Sequence, residues 1–406
     1  MHIVQLANFY GPRSGGLRTA VDHLGAGYVR RGHRVTLIVA GAHAADEALE
    51  SGVRRITVPG AKFFRIEGYR AANPLRIRRL LPRLDADSLE VSDRLTLRGL
   101  GPWAKARGVG SIMISHERLD RMIALGAPRL AVRAADVANL GTARSYDTVV
   151  CTTAFAGEEF ARIDAPNVET VPLGVDLGTF RPDRATWQAR ARWSNDAEVL
   201  LAQSCRLSME KHPARGIEVL RALIDHGARA RLVVAGGGAM EGELRRQAAG
   251  LPVTFTGHLD DREDLADLLA AADVCICPGP HETFGLSAME ALASGTPIVV
   301  SRNSALAAVA TGDCGLAAAD TGAALAAATR TILSRDRATY RDAARARAEQ
   351  FTWDRTVETM LTLHRSTANR RRYLRGGRSA QPLARLRVEE QRLPVDREHT
   401  RPVAGA

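Results

Sequence analysis

Short apolar runs alternate with amphipathic stretches along almost the entire chain, and this alternation restricts the possible folds more than any other feature. Runs rich in Val, Ile and Leu that are too short for helices fit strands buried on both faces. The longer segments between them fit crossover helices. Repeated strand–helix–strand units predict an α/β protein with parallel sheets. In the first half the pattern predicts strands at residues 3–7, 35–39, 55–58, 88–91, 111–115, 148–151 and 168–171, with a helix at 16–32 after the first. In the second half it predicts strands at 199–203, 231–235, 253–256, 274–277 and 297–300. The turn formers of Val171-Pro-Leu-Gly-Val-Asp-Leu-Gly-Thr-Phe-Arg-Pro182 mark the join. Two similar α/β halves therefore fit better than one oversized sheet.

A length of 406 residues, 45% hydrophobic and 25% charged, suits a two-domain globular protein. No apolar run approaches the roughly 18 residues of a membrane-spanning helix. Residues 1–7 form a strand-like run without a cationic leader, so a cytoplasmic location is expected. The net charge of +11 suits phosphate-bearing ligands or an anionic membrane surface. Lys62, Lys105 and Lys211 are the only lysines, so a lysine within a motif stands out. Residues 365–406 hold eleven Arg against four acids without periodicity, and a basic, disordered tail is expected over 366–406. Cys275 and Cys277 fall on one face of a strand-like run and read as buried thiols rather than metal ligands.

The most specific stretch is His281-Glu-Thr-Phe-Gly-Leu-Ser-Ala-Met-Glu290, continuing into Ala-Leu-Ala-Ser-Gly-Thr-Pro. Thr283 and Gly285 suit a turn, and the residues from Leu286 onward suit a helix. Helical rise over the eight positions from Glu282 to Glu290 would separate the carboxylates by roughly 12 Å. A glycosidase pair needs about 5–9.5 Å. The wider span suits an extended ligand gripped at two points, with an anion on the helix N-terminus between them. Gly11-Pro-Arg-Ser-Gly15-Gly16 after the first strand would let a backbone approach a ligand. It lacks the G-x-G-x-x-G spacing of a dinucleotide site. Gly236-Gly237-Gly238 reads as a tight strand-to-helix turn with backbone contact to a nucleotide. Arg206 and Lys211 follow the first strand of the second half, where two cations could neutralise a leaving diphosphate.

Together these elements resemble the retaining, family-4 glycosyltransferases of the GT-B fold, over residues 1 to about 365. Glu282 and Glu290 match the family's E-x7-E element, Arg206 and Lys211 its R-x4-K element, and Gly15-Gly16 its N-terminal glycine loop. Residues 171–176 match the interdomain signature, and Ser115-His116-Glu117 ends a strand where the family places a histidine facing the transferred sugar. The resemblance implies two Rossmann-like domains facing across a cleft: an acceptor domain over 1–175, rejoined by a C-terminal helix at about 353–365, and a nucleotide-sugar domain over 176–352. It implies that Glu290 holds the ribose and Glu282 the hexose hydroxyls. Amides around Phe284, Gly285 and Leu286 would hold phosphate or sugar oxygens. Arg206 and Lys211 would face the leaving diphosphate, with Gly15 and Gly16 opposite and His116 near the reacting carbon. The base would lie near residues 255–258.

The family's chemistry retains anomeric configuration, and a front-face path is usually proposed for it. Such a path needs electrostatic stabilisation and orientation more than a nucleophile. No Ser-His-Asp or Cys-His set is visible, and neither metal nor cofactor is expected. Asp85-Ala-Asp87 precedes a strand and reads as a solvated loop. The expected donor is GDP-mannose, with UDP-sugars next; the acceptor is a glycolipid, glycan or small molecule. The basic stretch from Arg65 to Arg83 could meet an anionic membrane at its inner face or simply pack as a surface helix. Specific nucleic-acid binding is not expected. The rivals are a nucleotide-sugar epimerase and a noncatalytic protein that binds membrane or nucleic acid through the tail.

Overall fold

A computed structural model of the chain describes residues 1–11, 15–62, 69–124 and 126–376. Residues 12–14 of the glycine loop, Arg65 at the start of the basic stretch and 377–406 of the expected tail lie outside the described residues. The first sheet contains β1 (His2–Ala7), β2 (Arg34–Gly41), β3 (Ala45–Ala48), β4 (Arg54–Lys62), β5 (Arg70–Ala72), β6 (Ser88–Val91), β7 (Gly110–Ser115), β8 (Thr148–Cys151) and β9 (Val168–Thr170). Its order is β3-β4-β2-β1-β6-β7-β8-β9, with β5 also on β4; β3 and β5 are antiparallel and the other pairings parallel. The second sheet contains β10 (Val199–Ser204), β11 (Ala230–Ala235), β12 (Val253–Gly257), β13 (Val274–Cys277), β14 (Ile298–Ser301) and β15 (Gly315–Ala318). It is wholly parallel, in the order β12-β11-β10-β13-β14-β15.

Both sheets are doubly wound. Their strand order reverses between β1 and β6 and between β10 and β13. Loops on either side of such a reversal diverge to opposite faces and leave a crevice at the carboxyl ends of the strands.

Strands built from Val, Ile and Leu fall where the sequence predicts them. Three others were not expected. β3 reads Ala-Asp-Glu-Ala and is exposed throughout; edge pairing holds it, together with Arg54–Asp46 and Arg55–Glu47 bridges across to β4. β5 and β15 are short, alanine-rich edge strands without β-branched residues, so pairing and not propensity decides them. Cys275 and Cys277 are both buried in β13, with their sulfurs 3.8 Å apart.

The chain crosses between the sheets twice, and the crossings run side by side. Val175 N–H donates to the Phe351 carbonyl at 3.0 Å, and Val175 bridges Thr352 in parallel. A Cβ on Gly174 would lie 2.2 Å from Trp353 N, so only glycine allows this approach. The last helix, Trp353–Gly376, then lies on the first sheet. His364 Nε2 hydrogen-bonds Glu90 Oε2 at 3.0 Å in the core, where Glu90 also accepts from Tyr28 and Gln5. Burial pushes the Glu90 carboxyl up, but these partners outweigh it and leave it below the usual range.

This helix corrects one expectation. Residues 366–376, expected in the disordered tail, are helical. Thr367 and Ala368 pack against Gly110, Arg371 Nε donates to Asp147 Oδ2 at 3.0 Å, and Arg372 pairs with Asp87. Arg371 and Arg372, which read as part of a mobile basic tail, are anchored at the amino ends of β8 and β6. Asp87 also accepts from His2 N–H at 2.7 Å, so it is a structural residue and not a solvated one.

Candidate functional site

Four loops leave the carboxyl ends of strands at the two reversals or one strand away and meet in one place. The glycine loop follows β1, His116 follows β7, Arg206 and Lys211 follow β10, and the Glu282 turn follows β13. A Cβ built on Gly16 would sit 3.5 Å from Leu286 Cδ1, so the start of helix Gly16–Arg30 faces the start of helix Leu286–Ala293. The space beside Gly15 is open. Arg206 lies over the ring of Tyr69, 5.9 Å from its centroid, which joins the second half to the first.

Lys211 Nζ donates to Glu282 Oε1 at 2.7 Å, so the two motif residues form an ion pair. Burial opposes the lysine's charge. Glu282 more than offsets that, holding its pKa above the ordinary value. The glycine triplet after β11 positions this loop. Cβ atoms on Gly236 and Gly238 would lie 2.0 and 2.4 Å from the carbonyl oxygens of Cys205 and Leu207, and Leu207 N–H donates to the Gly237 carbonyl at 3.0 Å. The triplet is a tight turn as expected, and Gly236 and Gly238 serve to hold the Arg206 loop; only Gly237 is open. Gly236 N–H also donates to the Gly257 carbonyl at 2.7 Å, which ties residues 255–258 to this turn.

Gly285 precedes helix Leu286–Ala293 at φ +78°, a left-handed conformation that suits glycine. A Cβ there would also come within 2.8 Å of the Leu306 side chain. No side chain caps the helix, and while the Ala288 amide donates to the Gly285 carbonyl at 3.0 Å, the amides of Leu286 and Ser287 at its start suit an anion. The Phe284 ring turns away and packs edge-on against Phe351, leaving its backbone to the site. Glu290 is buried on the helix and accepts from Arg262 at 3.0 Å. Burial pushes its carboxyl up against the pull of Arg262, and Asp176 adds to the rise. Because the helix begins at Leu286, the stretch between the two glutamates is part turn, part helix, and the all-helical spacing does not apply.

His116 Nε2 is buried without a hydrogen-bond partner. Burial pushes the imidazole down to about 4; Glu90 opposes this and Arg94 reinforces it, so the ring is neutral. Its loop is held from behind by a buried ion pair that sequence reasoning missed. Arg94 Nη1 meets Glu159 Oε1 at 2.6 Å, and Arg94 also donates to the Glu117 carbonyl. The other Glu159 oxygen accepts the amides of Leu119 and Asp120 at 2.9 and 3.3 Å. Arg262 was missed as well; its place at the start of helix Arg262–Ala271, just after residues 255–258, was the available cue. A cavity of about 510 Å³ lies behind helix Gly16–Arg30, lined by Tyr10, Asp22 and Arg55 among others; none of the candidate residues lines it.

Residues 14–179 match the family described as Glycosyltransferase Family 4, and residues 201–335 match Glycosyl transferases group 1. The chain is 55% identical to a GDP-mannose-dependent alpha-(1-6)-phosphatidylinositol dimannoside mannosyltransferase of Mycobacterium tuberculosis, over 89% of this chain and 95% of that protein. It is 29% identical to a GDP-mannose-dependent alpha-mannosyltransferase of the same species, over 74% of this chain and 78% of the relative. Among solved structures, sucrose-phosphate synthase from Thermosynechococcus elongatus superposes with a TM-score of 0.75 at 22% identity, covering 90% of this chain and 98% of that one. Anabaena HepE, solved with UDP and glucose, superposes at 0.71 and 16% identity, covering 90% and 99%. Both structures share the architecture of two Rossmann-like domains. The chain therefore belongs to the family-4, group 1 glycosyltransferases, and is a hexosyltransferase of the GT-B fold.

Proposed function

We propose that the enzyme transfers mannose from GDP-mannose, with retention, to a hydroxyl of a phosphatidylinositol mannoside. The observation that carries this reading is the 55% identity along 89% of the chain to an enzyme named for that donor and acceptor. In this reading Glu290 and Arg262 flank the ribose, and Glu282 orients the hexose. The amides of Phe284, Gly285 and Leu286 meet phosphate or sugar oxygens. Gly15 and Gly16 close the opposite wall. Arg206 and Lys211 supply the positive charge that stabilises the diphosphate as it leaves, without a metal or further cofactor. The neutral imidazole of His116 contacts the sugar near the reacting carbon without setting a second positive charge beside it.

The deciding experiment incubates the purified protein with GDP-mannose and phosphatidylinositol dimannoside and follows the products by mass spectrometry. A lipid one hexose heavier is expected, with the anomeric configuration of the donor. Transfer from UDP-glucose alone, or an isomerised nucleotide sugar without glycolipid product, would overturn the reading.

We also propose that the first half rests on the inner face of an anionic membrane. Among the described residues no helix is long and apolar enough to cross a bilayer. Leu75, Leu130, Val137 and Leu140 are exposed, and Arg76, Arg79, Arg133 and Arg144 stand exposed on the same two helices, Pro74–Leu80 and Ala131–Ser145, or beside them. Apolar insertion with basic flanks suits anionic lipid, at about 1 kcal/mol per basic residue near the surface. The free cysteines fit a reducing compartment. The protein is expected to sediment with phosphatidylglycerol vesicles at low salt and to be released as salt rises. Equal binding to phosphatidylcholine vesicles, or none to either, would refute the contact.

A further inference from the structure

Thr283 stands between Glu282 and Phe284, where a turn alone would accept many residues. Its side chain does something a turn does not need. Thr283 Oγ1 donates across the cleft to the carbonyl oxygen of His116 at 2.5 Å. Its own carbonyl accepts from Thr153 Oγ1 at 2.7 Å and from Thr152 Oγ1 at 3.3 Å. The partners sit on neighbouring strand ends: Ser115 of β7 pairs with Cys151 of β8, and His116 and Thr152 are the next residues out. One residue of the second half is thus held between two adjacent loops of the first.

The direction of these bonds is determined. Thr153 caps helix Ala154–Ala161, its oxygen accepting from Ala156 N–H at 3.1 Å, so its proton is left for Thr283. Thr152 is almost wholly buried, with its hydroxyl directed at the same carbonyl. The His116 carbonyl accepts the Thr283 hydroxyl, while the Arg94–Glu159 pair fixes the loop just beyond it. From these contacts we infer that Thr283 is a positioning residue: it locks the two halves in the register that sets His116 against Glu282. The inference rests on the donor-site reading of those two residues.

The donor contacts proposed above lie mainly on the second half. A loosened lock should therefore spare GDP-mannose binding and slow the step that needs both halves. Thr283→Val keeps the shape and removes the donor; Thr283→Ser keeps the donor. Thr283→Val is expected to lower kcat about tenfold, the worth of one such bond, with KM for GDP-mannose little changed. It should also enlarge the radius of gyration in small-angle scattering without lowering the melting temperature. Thr283→Ser is expected to restore most of both readouts. A Val variant as fast and as compact as the parent, or a Ser variant as impaired as Val, overturns the inference. If Thr283→Val does not fold, Thr152→Val, which removes one bond from the other side, carries the same comparison with the same two outcomes. Should the parent transfer no mannose, the donor reading fails, and the scattering comparison still decides the lock.

Discussion

Lys211→Ala is expected to lower kcat for mannosyl transfer by about 10²–10³-fold, the usual consequence of removing one preorganised charge from a developing anion. Two effects compete at this residue. Its ion pair with Glu282 at 2.7 Å is partly enclosed, so truncation leaves the carboxylate without its cation. That is a local cost, which Glu282 can relieve by turning toward water because the pair is not fully sealed. In the proposed leaving-group role, the loss at the diphosphate has no such relief, since Arg206 alone would remain. Catalysis should therefore collapse while the melting temperature moves little. Glu282→Gln, which keeps shape and hydrogen bonding, should cost less than Lys211→Ala. Initial rates with GDP-mannose, set beside thermal melts of both variants, test the order. A Lys211→Ala enzyme within a few-fold of the parent would remove Lys211 from the leaving-group role.

The largest effect on stability is expected at Arg94→Met. The partner carboxylate of Glu159 has 0% side-chain exposure, and Arg94 itself only 6%. Removing one member of such a pair leaves an uncompensated buried charge and costs about 3–5 kcal/mol. Replacing both with apolar residues removes the charge altogether, so Arg94→Met/Glu159→Leu should be more stable than Arg94→Met alone. The double variant still loses the two amide contacts that fix residues 119 and 120, so its kcat should stay low after its stability recovers. Urea unfolding of the single and double variants measures the first claim and steady-state rates the second. A single variant within about 1 kcal/mol of the parent would contradict the buried-charge argument.

How much of this was legible in the sequence depended on distance along the chain. Val-, Ile- and Leu-rich strands announce themselves locally, and so do glycines needed for a particular backbone angle, such as Gly285. The same holds for charges placed just beyond a strand, such as Arg206 and Lys211. The composition of β3, β5 and β15 carries no strand signal, because neighbours hold them in place. Arg94 with Glu159, and Thr283 with His116, are separated by 65 and 167 positions and acquire meaning only when the fold brings them together. The end of the last helix was misread for a related reason. A run of arginines has the composition of a disordered tail whether or not carboxylates wait at the strand ends to receive it.

The paired crossings have a mechanical consequence. Two connections set far apart would clamp one half against the other. Two connections bonded side by side, with Trp353 flush against Gly174, act as one pivot. The second sheet can then swing as a rigid door about that single line, and a slight twist there becomes a wide arc at the loops bearing Arg206 and Glu282. A bulkier residue at Gly174 would push Trp353 away and split that line in two.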